Sequence, residues 1–225
     1  MDINEDFNKR VSMHASLMPW VPSPMKGVDR RMLDRLGNEV ARATSIVRYA
    51  PGSSFSAHTH TGGEEFFVLN GVFQDEHGDF PAGTYVRNPP TSFHTPRSDP
   101  GCTIFVKLWQ YQMNDRTHVI INTNKMGSVD TTDRPGVSIM PLFKDSQEDV
   151  RLETWAANTL VSFAPVGGAE FLVLGGSFEE GGETFEKDSW LRLPVGVPAN
   201  IKAGIAGAKI WIKSGHLPHA KRPSL

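Results

Sequence analysis

The chain has 225 residues, 39% of them hydrophobic, with a formal net charge of -2 and a pI near 6.4. That length fits one large or two ordinary domains, and the balanced charge argues against a phosphate-binding surface, so no direct nucleic-acid partner is expected. A single cysteine, Cys102, excludes an internal disulfide and a Cys-rich zinc finger.

In chain order, residues 1–17 read as a polar N-terminal extension with a helical turn or two. The charged start lacks the apolar core of a secretory signal. No run of eighteen apolar residues follows, so no membrane span is expected, and the cytoplasm is the expected location. From Trp20 onward, short apolar segments alternate with turn residues. Predicted strands cover residues 41–49, 65–69, 83–87 and 102–109. Pro51-Gly52, His77-Gly78-Asp79 and Pro89-Pro90 mark turns between them. No long amphipathic helix is predicted. The polar stretch 122–135 reads as a loop or linker. With 21 glycines and 16 prolines spread along it, the chain is expected to be all-β.

The richest stretch is Gly52-Ser-Ser-Phe-Ser-Ala-His58-Thr-His60-Thr-Gly-Gly-Glu64-Glu65-Phe-Phe-Val-Leu-Asn-Gly71. Strand side chains alternate faces, so His58 and His60 point the same way, about 6–7 Å apart. If that parity survives the Thr61-Gly62-Gly63 bend, Glu64 joins them and Glu65 faces away. A third imidazole arrives at His94, in the segment Gly83-Thr-Tyr-Val-Arg-Asn-Pro89-Pro90-Thr-Ser-Phe-His94. Three imidazoles and one carboxylate suit a first-row divalent metal ion.

The second half repeats the first. Gly62-Gly-Glu-Glu-Phe-Phe-Val-Leu-Asn-Gly-Val-Phe returns as Gly167-Gly-Ala-Glu-Phe-Leu-Val-Leu-Gly-Gly-Ser-Phe, and Gly83-Thr-Tyr-Val-Arg-Asn-Pro89 as Asp188-Ser-Trp-Leu-Arg-Leu-Pro194. In that register Phe163 replaces His58, Pro165 replaces His60, Ala169 replaces Glu64 and Ala199 replaces His94. All four candidate donors vanish together while the glycines and apolar positions persist. The fold therefore does not need them, and a function in the first copy does. The second copy is expected to supply structure, an interdomain interface or a metal-free pocket, which these four replacements would make apolar.

These residues resemble the cupin superfamily. Gly52 to Gly71 fits its first motif, Gly, five residues, His-x-His, three or four residues, Glu, six residues, Gly. Gly83, Pro89 and His94 fit the second, with Thr91 in place of its inner Gly and Ser98 in place of its final Asn. Gly71 to Pro90, His94-Thr-Pro and Gly101 to Lys107 further resemble the cupin domain of ChrR-type anti-sigma factors. The resemblance implies two tandem double-stranded β-helix barrels, a bicupin. The expected division is 1–17 extension, 18–114 metal-binding cupin, 115–216 degenerate cupin and 217–225 tail. It also implies one zinc ion held by His58, His60, Glu64 and His94, in a sensor or regulatory role. ChrR-type proteins carry an N-terminal helical domain that grips the sigma factor and uses Cys and His for its own zinc. Residues 1–17 are too short for that domain, so direct sigma-factor binding is not expected.

The donor set alone leaves the chemistry open. Four-coordinate, it suits structural or sensing zinc. Six-coordinate, it leaves two positions for water, O₂ or substrate, admits iron, manganese or nickel, and fits a dioxygenase acting on a small carbonyl or aromatic compound. A small-molecule ligand is the expected partner in either case, and exposed barrel edges favour a homodimer. Around the site, Glu65, Tyr85 and Arg87 read as structural, because Glu170, Trp190 and Arg192 keep their places in the repeat. Cys102 reads as a buried strand residue. Arg97, His77, His216 and His219 read as solvated, and His14 and His118 have no motif around them.

Overall fold

The computed structural model describes residues 1–38 and 40–223. The chain forms two compact units. Unit 1 comprises Met1–Glu5, Pro19–Lys125 and Lys221–Leu225; unit 2 comprises Asp6–Met18 and Met126–Ala220. Both are built almost wholly of antiparallel strands. Among the described residues helix is confined to three short 3-10 turns, Ala15–Leu17, Thr123–Lys125 and Leu217–His219. No helix is long and apolar enough to cross a membrane.

In unit 1 the main path across the sheet runs Val119–Asn122, Thr84–Asn88, Glu64–Asp75, Cys102–Leu108, Ala41–Tyr49, Val28–Gly37, Val21–Pro22. The predicted strands are all present, and Glu64–Asp75 is longer than expected. Alternation sets its inner face at first. Glu64 opposes Leu108, Phe66 opposes Val106 and Val68 opposes Ile104. The register then slips at Leu69, and the strand continues through Gly71, whose φ is +71°. A Cβ there would stand 2.0 Å from the Gly101 carbonyl oxygen, so only glycine fits. Beyond it Phe73 returns to the core, its ring centroid 4.6 Å from that of Phe66. Phe66, Phe73, Val68, Val86 and Ile104 are at most 2% exposed. Burying each such side chain contributes roughly 1.5–3 kcal/mol.

Unit 2 has the same strand order: Val11–His14, Ser189–Leu193, Ala169–Glu180, Ala199–Ser214, Asp149–Trp155, Val137–Lys144, Val129–Asp130. The registers agree residue by residue. His94 pairs with His58 in unit 1, and Ala199 with Phe163 in unit 2. Glu64 pairs with Asn88, and Ala169 with Leu193. The internal repeat read from the sequence is thus a repeat of structure.

The boundaries differ from the expected ones. A cut after residue 114 falls inside unit 1, because Val119–Asn122 pairs with Thr84–Asn88, Val119 opposite Arg87. Residues 6–18 are not a free extension. Val11–His14 pairs with Ser189–Leu193 in unit 2, Val11 opposite Arg192. The segment missed detection because Val-Ser-Met-His is too short and too polar to show strand periodicity. The stretch 122–135, expected as loop, contains the 3-10 turn Thr123–Lys125 and the strand Val129–Asp130. The expected tail also starts late, since Leu217 is 4% exposed.

Candidate metal centre

His58 lies on the short strand His58–Thr59, paired with Phe93–His94 so that His58 and His94 stand directly opposite. His60 follows at the turn. Its backbone is pinned from both sides, its N–H donating to the Ser92 carbonyl at 2.8 Å and its carbonyl accepting from Thr91 N–H at 2.9 Å. Glu64 opens the next strand. Between them Gly62 and Gly63 make the bend. A Cβ on Gly62 would lie 2.1 Å from the Trp109 ring, and one on Gly63, whose φ is +78°, 2.4 Å from the Tyr111 ring. Tyr111 Oη also donates to the Glu64 carbonyl at 2.8 Å.

The four side chains converge, each offering one donor atom within 4.8 Å of the others. The ring centroids of His60 and His94 are 4.5 Å apart, those of His58 and His60 5.0 Å, and those of His58 and His94 5.1 Å. Glu64 Oε2 is 3.4 Å from His60 Nε2 and 3.5 Å from His94 Nε2. Glu64 therefore faces the imidazoles. Glu65 faces the other way, where it accepts a 2.6 Å hydrogen bond from Tyr85 Oη.

The outer nitrogen of every imidazole is occupied. His58 Nδ1 donates to the Ser56 carbonyl at 2.8 Å. His60 Nδ1 meets Ser92 Oγ at 3.0 Å, and since that hydroxyl donates to the Pro89 carbonyl at 2.7 Å, it accepts from the imidazole. His94 Nδ1 donates to Asp75 Oδ2 at 3.0 Å. These contacts leave each Nε2 as a lone pair aimed at the common centre. His60 Nε2 and His94 Nε2 are buried with no hydrogen-bond partner. Unsatisfied buried nitrogens cost roughly 1–3 kcal/mol each. A cation with bonds of about 2.0–2.2 Å at the centre would satisfy both, along with the carboxylate. The residues fit a divalent metal.

The electrostatics follow from burial and from mutual proximity. Burial alone would raise the Glu64 carboxyl, but His60, His94, His58 and the Asn88 amide outweigh it and hold Glu64 below the ordinary carboxylate value. Burial pushes His60 below the ordinary imidazole value, more than the Glu64 charge restores. Burial acts in the same sense on His94, yet its hydrogen bond to Asp75 and the charge of Glu64 reverse the balance and leave it raised.

His58, His60 and Glu64 line a cavity of about 300 Å³ in unit 1. Its remaining wall is mainly apolar, with Val47, Ile104, Val106, Leu108, Phe55 and Trp109, and one cation, Arg30. A metal held by the four donors would face this space.

Sequence reasoning missed Asp75, Ser92 and Asn88, which hold the donors from behind. Asn88 Nδ2 donates to Glu64 Oε2 at 3.3 Å, and Asn88 Oδ1 meets His118 Nε2 at 2.9 Å. The repeat carried the signal for two of them. Leu193 stands in place of Asn88 and Val197 in place of Ser92, so the support disappears with the donors. Of the other residues singled out, Arg87 pairs with Asp115 at 2.6 Å, and Arg97 pairs with Asp99 on the surface. Cys102 is buried, its thiol pushed up to about 11 by desolvation. His77 and His219 are exposed. His216 is not solvated as expected; it is 6% exposed and bonds Glu170 at 2.8 Å. His14 bridges Ser189 and Glu183.

In unit 2, among the described residues, no donor set forms at the equivalent place. Phe163 packs against Phe171 at 6.1 Å, and Phe171, Leu191, Leu193, Ala169 and Ala199 are all 0% exposed. The groove beside Phe163 opens at the surface and carries Arg134, Lys144, Asp149 and Arg151. The expected apolar pocket is therefore replaced by packed side chains inside and a charged groove outside.

Comparison with known proteins places this geometry in a family context. Residues 8–112 match the family model of the ChrR cupin-like domain. No curated protein sequence matches the chain. Solved structures share the fold over nearly the whole length. A "putative dioxygenase" from Nostoc punctiforme superposes with a TM-score of 0.77 at 14% identity, covering 97% of this chain and 87% of that one. The bacterial pirin YhhW from Escherichia coli in complex with nickel(II) gives a TM-score of 0.65 at 14% identity, covering 92% and 98%. A salicylate 1,2-dioxygenase from Pseudaminobacter salicylatoxidans gives 0.65 at 14% identity, covering 93% and 84%. At such identities the likeness is one of fold.

Proposed function

Because residues 8–112 match the family model of the ChrR cupin-like domain, we propose that unit 1 binds one divalent transition metal through His58, His60, Glu64 and His94 and presents it to a small organic molecule, as a metal-dependent cupin oxygenase would. The observation that carries this reading is the pair of buried, partnerless nitrogens, His60 Nε2 and His94 Nε2, aimed with Glu64 at one point beside a cavity. The bound metal would supply a Lewis-acidic, oxygen-activating centre.

The chain's own residues do the rest. Ser56, Ser92 and Asp75 fix the imidazole tautomers, so each ring offers its Nε2 without rearrangement. Asn88 orients the Glu64 carboxylate. Val47, Ile104, Val106 and Leu108 keep the cavity apolar and hold water back from it.

A second reading is the zinc-holding regulatory role that ChrR kinship implies; the family match favours it. The cavity favours the first, since a purely structural metal has no use for an open side. Elemental analysis of the purified chain should find about one transition metal per molecule, and close to none in His60→Ala or His94→Ala. Oxygen uptake by the iron-loaded protein with small organic substrates separates the readings. Tight zinc with no uptake for any metal would overturn the oxygenase reading, and a chelator-stripped chain that rebinds no metal would remove both.

A further inference from the structure

The cavity beside the donor set contains one feature that metal binding does not use. Arg30 lines it, opposite Val47 on the neighbouring strand. Its Nε is buried with no hydrogen-bond partner, and no carboxylate among the described residues pairs with its guanidinium. Nearby arginines are engaged. Arg48 pairs with Asp29 at 2.7 Å, Arg42 pairs with Asp34 at 3.4 Å, and Arg31 stacks over Trp20 at 4.1 Å. A planar, permanently charged fork facing an apolar space is matched to a carboxylate, which it binds through two parallel N–H donors.

The internal repeat shows that the strand pair does not require this arginine. Val28 opposes Tyr49 and Val137 opposes Trp155. In that register Arg30 opposes Val47, while Ile139 opposes Glu153. Unit 2 builds the same two strands with an isoleucine in place of Arg30. The arginine is thus lost together with the four donors, as expected if all five serve one site.

We infer that the cavity takes a small organic monocarboxylate, its carboxylate held by Arg30 and its apolar body laid against Val47, Ile104 and Val106 beside the histidines. A volume of about 300 Å³ lies at the lower end of small-molecule sites, so the ligand is a small acid. This inference specifies the substrate class of the site proposed above and rests on that reading.

The test uses the full chain, metal-loaded and chelator-stripped, with calorimetric titration of benzoate and hexanoate and of their uncharged amides. The acids should bind and the amides should bind at least tenfold more weakly. Arg30→Gln should weaken acid binding at least tenfold in both metal states while metal content stays at the wild-type level. Arg30→Lys, which keeps the charge and loses the fork, should fall between, and it preserves the test should the Gln variant unfold. Equal binding of acids and amides, acid binding unaffected in Arg30→Gln, or no acid binding at all would overturn the carboxylate anchor and leave the metal site standing. Arg30-dependent acid binding by a chain that takes up no metal when metal is offered would instead overturn the metal reading alone.

Discussion

Asp75 Oδ2 accepts a 3.0 Å hydrogen bond from His94 Nδ1, and it does so from the far end of the strand that begins with Glu64. One strand, Glu64–Asp75, therefore supplies both a candidate metal donor and the group that orients another. Replacing Asp75 with Asn removes the charge behind His94 and leaves its size unchanged. Metal affinity should fall about 10–100-fold, as read by competition with a chromogenic chelator. Unaltered affinity would show that Asp75 does not position the ring.

The pH dependence follows from the same contact. Metal binding requires neutral imidazoles, so protons compete with the metal. In the metal-free protein His94 lies above its ordinary value and is the first of the buried pair to protonate as pH falls. Metal loading should decline on acidification from above pH ~6.5, and in Asp75→Asn the decline should start lower. The sign for stability is opposite for the two rings. A raised His94 stabilises the metal-free fold below its unfolded value, and that contribution is lost as pH rises through the folded one. A lowered His60 contributes above its unfolded value and loses it as pH falls. Metal-free His94→Gln should thus lose its relative disadvantage at high pH, which thermal melts across pH 5–9 would check.

Adjacent carboxylates should separate cleanly by readout. Glu64→Gln should abolish tight metal binding. Glu65→Gln should retain the metal and destabilise by about 1–3 kcal/mol, because Glu65 is buried and accepts a charge-assisted bond from Tyr85. Metal analysis and denaturant unfolding on both variants would decide it, and the reverse pattern would contradict the strand parity observed.

Thr91 carries a φ of +77° in the turn between Pro89 and Ser92, where the cupin motif has glycine. A β-branched residue in that region costs about 1–2 kcal/mol, against about 0.5–1 kcal/mol of added backbone freedom for glycine. Thr91→Gly should raise stability by up to about 1 kcal/mol, a few degrees in Tm, with metal affinity intact. A lower Tm would show that the threonine side chain stabilises the turn.

The four candidate donors were legible because strand alternation is a two-residue rule and a degenerate copy of the same fold lies in the same chain. Parity told Glu64 from Glu65 provided it survived the Gly62-Gly63 bend, and Glu170 in the repeat pointed the same way. The groups behind the donors were not legible. Asp75 and Asn88 come from positions where polar residues look like ordinary strand ends, and nothing local links them to His94 or Glu64. Arg30 was invisible for a related reason. Its meaning lies in the absence of a partner, which depends on neighbours far along the chain. The exchange of Val11–His14 escaped notice because four mixed residues carry no period, and pairing with Ser189–Leu193 is a contact across most of the sequence.

A strand ahead of each copy of the repeat is counted in the other unit: Val11–His14, before the first copy, belongs to unit 2, and Val119–Asn122, past the expected cut at 114, completes the sheet of unit 1. No single scission of the polypeptide yields two whole barrels. A fragment ending at residue 114 strips the neighbour from Thr84–Asn88, and one starting there deprives Ser189–Leu193 of its own. The two units are thus interlaced in sequence, each closed by a stretch that the repeat alone would assign elsewhere.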